Sequence, residues 1–116
     1  MDLFAGIGFN QYRKTQNNAE GIAQLLTAMS AVDKSFVFVN LVDFDQNFGH
    51  RLDPQGFAGA LEEFDRALPK IISKLKNDDL MIITADHGND PVGKNTDHAR
   101  EFVPLLVISE RENLKK

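Results

Sequence analysis

Apolar residues in this chain fall into two kinds of run, contiguous and helically spaced. Residues 36–42, FVFVNLV, form an almost unbroken β-favouring stretch. Such a run suits a strand buried on both faces of a parallel sheet. Residues 80–84, LMIIT, and 103–108, VPLLVI, read the same way, the last opening with Pro104 near a sheet edge. Between these runs, apolar positions recur at helical spacing. Ile22, Leu25, Leu26 and Met29 follow Asn17 and Asn18, both good N-caps, and predict a helix. Phe57, Leu61, Phe64, Leu68, Ile71 or Ile72, and Leu75 mark one face of a longer helix. Asp53 and Pro54 supply its N-cap and first helical position. Pro69 is expected to kink that helix or split it in two. A glycine-broken stretch at residues 3–9 reads as a further short strand, and the charged residues 110–116 as a frayed tail.

This order predicts an α/β fold with a mainly parallel sheet flanked by helices, joined by a right-handed crossover. Ligands of open α/β sheets gather at the carboxyl ends of the strands. Asp45 lies just past one predicted strand, and Asp86 and His87 lie just past the next. Parallel strands would put all three at one sheet edge. Residues 86–101 make a long connection without periodicity of its own, and such connections are usually functional or disordered. Gly88, Asn89, Gly93 and Asn95 let it fold back, which would bring His98 to the same edge.

Composition narrows the function classes. The 116 residues suffice for one domain burying roughly two-thirds of its unfolded surface. A net charge of -4, with no basic stripe, argues against a nucleic-acid partner. The absence of cysteine excludes disulfides and thiolate metal sites and fits a reducing compartment. The first ten residues lack the features of a signal peptide, and no apolar run approaches the length of a membrane span. A cytoplasmic protein without membrane contact is the expectation.

All three histidines stand beside an aspartate or a short step from one: Asp45 with His50, Asp86 with His87, Asp97 with His98. Each pair has an ordinary reading as a turn or a solvated loop tip. Together, with no histidine elsewhere, they favour a metal centre. Carboxylate and imidazole are standard ligands of divalent ions, and the oxygen share points to manganese ahead of zinc. The chemistry that uses such a centre is phosphoryl or sulfuryl transfer. Asp43 is read as structural or supporting. Arg51, Arg100 and Lys94 are read as surface charges, with the arginines as candidates to meet phosphate.

VDFDQNFGHR at 42–51, TADHGND at 84–90 and TDHAREFVPLLV at 96–107 resemble the carboxyl-terminal part of the phosphopentomutase family, in the alkaline phosphatase superfamily. The resemblance runs from Asp2 to Ser109. It implies that Asp45, His50 and His98 ligate one metal and that Asp86 and His87 ligate another. It also implies interconversion of ribose or deoxyribose 1-phosphate and 5-phosphate, with two manganese ions and a phosphorylated threonine. That threonine, a further aspartate ligand and an inserted cap domain find no match in these residues. Residues 1–116 thus correspond to part of a metal-binding core domain, and no catalytic residue is assigned. One metal per chain, loss of the mutase activity and self-association through exposed sheet edges are the expectations.

The cofactor-independent phosphoglycerate mutases are the nearest rival. Their earlier Asp-to-His spacing is one residue shorter than Asp45 to His50, and a threonine-rich segment follows their later histidine. A phosphatase or sulfatase of the superfamily, and a non-catalytic metal-binding remnant, are the remaining alternatives.

Overall fold

The computed structural model describes residues 7–31 and 33–109. The expected tail at 110–116 and most of the expected strand at 3–9 lie outside them; residues 7–9 form no strand.

Helix α1, Asn18–Ala31, begins where its caps predict. The Asn17 side-chain oxygen accepts from the Glu20 N–H at 2.8 Å, and the Glu20 carboxylate accepts from the Gln16 N–H at 2.8 Å. Backbone donors that the first turn cannot pair internally are satisfied in this way. Helix α2, Pro54–Ile72, is the long amphipathic element. Asp53 accepts from the Gly56 N–H at 2.9 Å, with Pro54 in the first turn. Pro69 does not split α2; it sits in the last turn, and the helix stops at Ile72, before Leu75.

The segment between the helices departs from expectation. Residues 36–42 form no strand, and Phe36 is 78% exposed and Phe38 45%. A strand exists only through its ladder partners, and among the described residues this run belongs to no sheet ladder. The chain then enters a π-helical turn, Phe44–Gly49, which packs on α2 through Phe44 and Phe57, ring centroids 5.4 Å apart. Gly56 permits the close approach, because a Cβ there would lie 2.3 Å from the Phe48 ring. The small core contains Ala60 and Ile71 of α2, the latter 1% exposed. Burying a side chain the size of isoleucine stabilises by about 1.5–3 kcal/mol.

Strands β1, Leu80–Thr84, and β2, Leu105–Ser109, form a two-stranded sheet. They run antiparallel, in register from Leu80 opposite Ser109 to Thr84 opposite Leu105. The fold class is therefore mixed helix and strand, but the described sheet is not the parallel one expected. Parallel neighbours need a crossover, usually helical. Residues 85–104 contain no helix and close on themselves through a bridge between Gly88 and Ala99. β2 also starts later than expected, at Leu105, because Pro104 has no N–H to give a ladder.

Candidate metal centre

Asp45 and His50 are displayed together by the π-helical turn. The His50 N–H donates to the Asp45 carbonyl at 3.0 Å, an i→i+5 bond. In an α-helix, residues five apart are rotated by roughly 140°. The wider winding brings them to one side, with Asp45 Oδ2 3.3 Å from His50 Nε2. The spacing of this motif thus requires a π turn, whereas a spacing of four would suit an α turn.

Polar contacts pin the turn. The Asn18 N–H donates to the Asp43 carboxylate at 2.7 Å, and the Asp43 N–H donates to Asn18 Oδ1 at 3.0 Å. Asn47 donates to the other Asp43 oxygen at 2.8 Å. Asp43 therefore ties the turn to the start of α1 and stands behind the site. Leu52, at φ 52°, is the one non-glycine residue of positive φ among the described residues. It reverses the chain between His50 and the Asp53 cap, a conformation that costs L-residues roughly 1–2 kcal/mol.

The other two histidines come from the loop after β1. Gly88 is pressed against the returning strand, since a Cβ there would lie 2.6 Å from the Ala99 carbonyl oxygen. This bridge sets His87 beside His98, their rings stacked at 3.6 Å and 14°. His98 also faces His50, ring centroids 5.1 Å apart. Within the loop, Asp90 accepts from the Val92 N–H and Asn95 from the Asp97 N–H, each at 3.0 Å. Asp97 therefore supports a turn and leaves His98 to the cluster.

The three imidazoles converge on one carboxylate. Asp45 Oδ1 lies 3.7 Å from His98 Nε2 and 3.9 Å from His87 Nε2. One ligand atom each from Asp45, His50 and His98 lie within 4.8 Å of one another. Asp86 stands further out, 3.7 Å from His87 Nε2 and with its side chain 59% exposed. Arg51, Lys94 and Arg100 are exposed.

Backbone carbonyls fix two of the ring tautomers. His50 Nδ1 meets the Thr96 carbonyl, and His87 Nδ1 meets the Gly88 carbonyl at 3.1 Å. A carbonyl can only accept, so Nδ1 carries the proton and a neutral ring turns the Nε2 lone pair towards Asp45. Lone pairs facing carboxylate oxygens repel unless a cation stands between them. At ligand bonds of about 2.0–2.2 Å, the donors of a tetrahedral site are about 3.3–3.6 Å apart. The separations from Asp45 to His50 and His98 are near that range. They are longer than the usual 2.7–3.2 Å of a direct N–H···O bond. The donor set therefore fits a divalent ion, and the carbonyls on Nδ1 stand where outer-shell partners orient histidines for ligation.

Asn89 reads from the sequence only as a residue that lets the loop fold back, yet its amide donates to Asp45 Oδ1 at 3.3 Å. Its place within TADHGND is the one available hint. The Thr96 carbonyl carries no sequence signal at all, because any residue supplies one.

A candidate metal centre built from a π turn and a post-strand Asp-His-Gly loop points to a class. Residues 5–116 match the Metalloenzyme superfamily, and the chain belongs to that family. Among individual proteins it is similar to the phosphopentomutases. It is 56% identical over 108 residues to that of Caldanaerobacter subterraneus subsp. tengcongensis, covering 93% of this chain and 28% of the relative. For Dictyoglomus turgidum the figures are 55% over 108 residues, 93% and 27%. For Kosmotoga olearia they are 52% over 115 residues, 97% and 30%. The chain thus spans less than a third of the length of these curated relatives. No helix among the described residues is long and apolar enough to cross a membrane.

Proposed function

We propose that this chain is the divalent-metal-binding part of a phosphopentomutase-like enzyme. The complete enzyme would interconvert ribose or deoxyribose 1-phosphate and 5-phosphate. The observation that carries the reading is the convergence of the Nε2 atoms of His50, His87 and His98 on the single carboxylate of Asp45. The relatives' name supplies the substrate class.

Asp45, His50 and His98 would hold one ion, with manganese the metal in the complete enzyme. Asp86 and His87 would offer half of a second site. Divalent ions in such a centre offset phosphoryl charge and orient the transferring group. The chain's own residues hold the ligands: Asp43 anchors the turn, and the Thr96 and Gly88 carbonyls orient the His50 and His87 rings through Nδ1. The sheet would become mainly parallel when residues 36–42 gain strand neighbours, as part of an alkaline-phosphatase-like core domain. Until then, apolar side chains such as Phe36, Ile82 and Leu105 favour association with a second copy of this chain. A cytoplasmic location and the absence of nucleic-acid and membrane partners complete the proposal.

By itself the chain should not interconvert pentose phosphates, because neither Thr84 nor Thr96 occupies the segment of the family's phosphate acceptor. Incubation of the pure chain with ribose 1-phosphate and manganese should yield no ribose 5-phosphate. Clear conversion would overturn this part of the proposal. The π turn favours this reading over the phosphoglycerate mutases, whose shorter spacing it would not suit.

A further inference from the structure

We infer that Asn89 is a positioning residue for Asp45, and that Gly49 is glycine in order to seat it. Asn89 lies after β1 and Gly49 at the end of the π turn, so the pair joins the two halves of the metal centre. The inference rests on the metal reading above for its consequence, but the contact itself does not depend on an ion.

Gly49 is buried, and its α-carbon is covered by the Asn89 carboxamide. A Cβ at Gly49 would lie 2.3 Å from Asn89 Nδ2, 2.7 Å from Cγ and 2.8 Å from Oδ1. No real side chain tolerates such distances, so the amide must leave when Gly49 gains a methyl group. Gly49 has no positive φ. Alanine there is therefore conformationally ordinary, and the clash with Asn89 is the chief effect of the change.

The seated amide donates to Asp45 Oδ1 at 3.3 Å. Oδ1 is also the oxygen that faces His98 and His87, while Oδ2 faces His50. A neutral donor on Oδ1 fixes the rotation of the carboxylate without adding charge. It leaves one oxygen for the turn's own histidine and one for the histidines of the loop. Outer-shell partners of this kind are worth about 10–100-fold in metal affinity. Gly49 and Asn89 would act as one device, in which a methyl group at 49 and deletion of the amide at 89 remove the same hydrogen bond.

The test is a double-mutant cycle on the full chain with Gly49→Ala, Asn89→Ala and the double variant. Manganese and zinc affinities are measured by calorimetry, and the visible spectrum of the cobalt-loaded protein reports ligand geometry. Each single variant should weaken binding about 10-fold. The double variant should be no weaker than the singles, and all three should share one altered cobalt spectrum. Losses that multiply in the double variant, or an unchanged spectrum, would overturn the inference. NMR of the metal-free chain supplies a second readout. Asn89 side-chain amide protons should show contacts to the Gly49 α-protons and lose their distinct shifts in Gly49→Ala. Absence of those contacts would also overturn it. A parent chain that binds no ion but keeps the NMR contacts would refute the metal reading and leave the seating of Asn89 intact.

Discussion

The half that carries the candidate metal centre and the half that carries the sheet are held in opposite ways. Around Asp45 nearly every group has a partner: Asp43 with Asn18 and Asn47, His50 with Thr96, Asn89 with Asp45, Gly88 with Ala99. The sheet rests mainly on its own ladder, with the Ser109 hydroxyl donating to the Asp79 carbonyl at 3.1 Å. Leu80, Ile82, Leu105, Leu106 and Val107 are all exposed, and Phe102 is entirely so. Directional polar contacts between short motifs can assemble a site locally. Apolar strands instead require surfaces to cover them, and the described residues provide few.

The sharpest way to break this comparison is to remove a candidate ligand. His50→Ala or His98→Ala should abolish metal uptake by the chain, because two ligands do not hold an ion as three do. His87→Ala should weaken binding much less, since its Nε2 stands furthest from Asp45, at 3.9 Å. Equal losses in all three would show that His87 belongs to the same site. Calorimetry with manganese distinguishes these outcomes.

A smaller effect should follow from damage to the core. Ile71→Ala should lower the unfolding free energy by about 2–5 kcal/mol, the range for large-to-alanine changes at buried sites. Ile82→Ala, on a residue 55% exposed, should cost far less. Chemical denaturation of both variants compares them, and equal losses would mean that the sheet is covered in solution. Ile82→Lys tests that cover separately: it should reduce association seen by light scattering while leaving the melting midpoint nearly unchanged. A parent chain that stays monomeric at high concentration would contradict the reading of the sheet as an unpaired surface. The smallest expected effect lies at the helix starts, where Asn17→Ala and Asp53→Ala should each cost about 1 kcal/mol.

What could be read from the sequence follows the same division. Both helix starts were legible, because Asn17 and Asp53 cap within a few residues of themselves. Strand β1 was legible as an apolar run, and β2 nearly so, with Pro104 deciding its start. Residues 36–42 misled, because their β-favouring side chains specify a preference and not a partner. The direction of the sheet was hidden for a related reason. Whether residues 85–104 cross over or fold back depends on the Gly88–Ala99 bridge, which no periodicity announces. At the site, Asp45, Asp86 and the histidines stood out by residue type. The π turn was implicit in the five-residue spacing from Asp45 to His50, but it takes an i→i+5 bond to make that spacing useful. Asn89 and the Thr96 carbonyl become visible only once the two motifs meet.

The central claim is that Asp45, His50 and His98 form one metal site within this chain. Calorimetric titration of the metal-free chain with manganese or zinc, with metal analysis of the dialysed product, tests it most directly. We expect one ion per chain, and none in His50→Ala. Two tight ions in the parent, none at all, or undiminished binding in His50→Ala would contradict it.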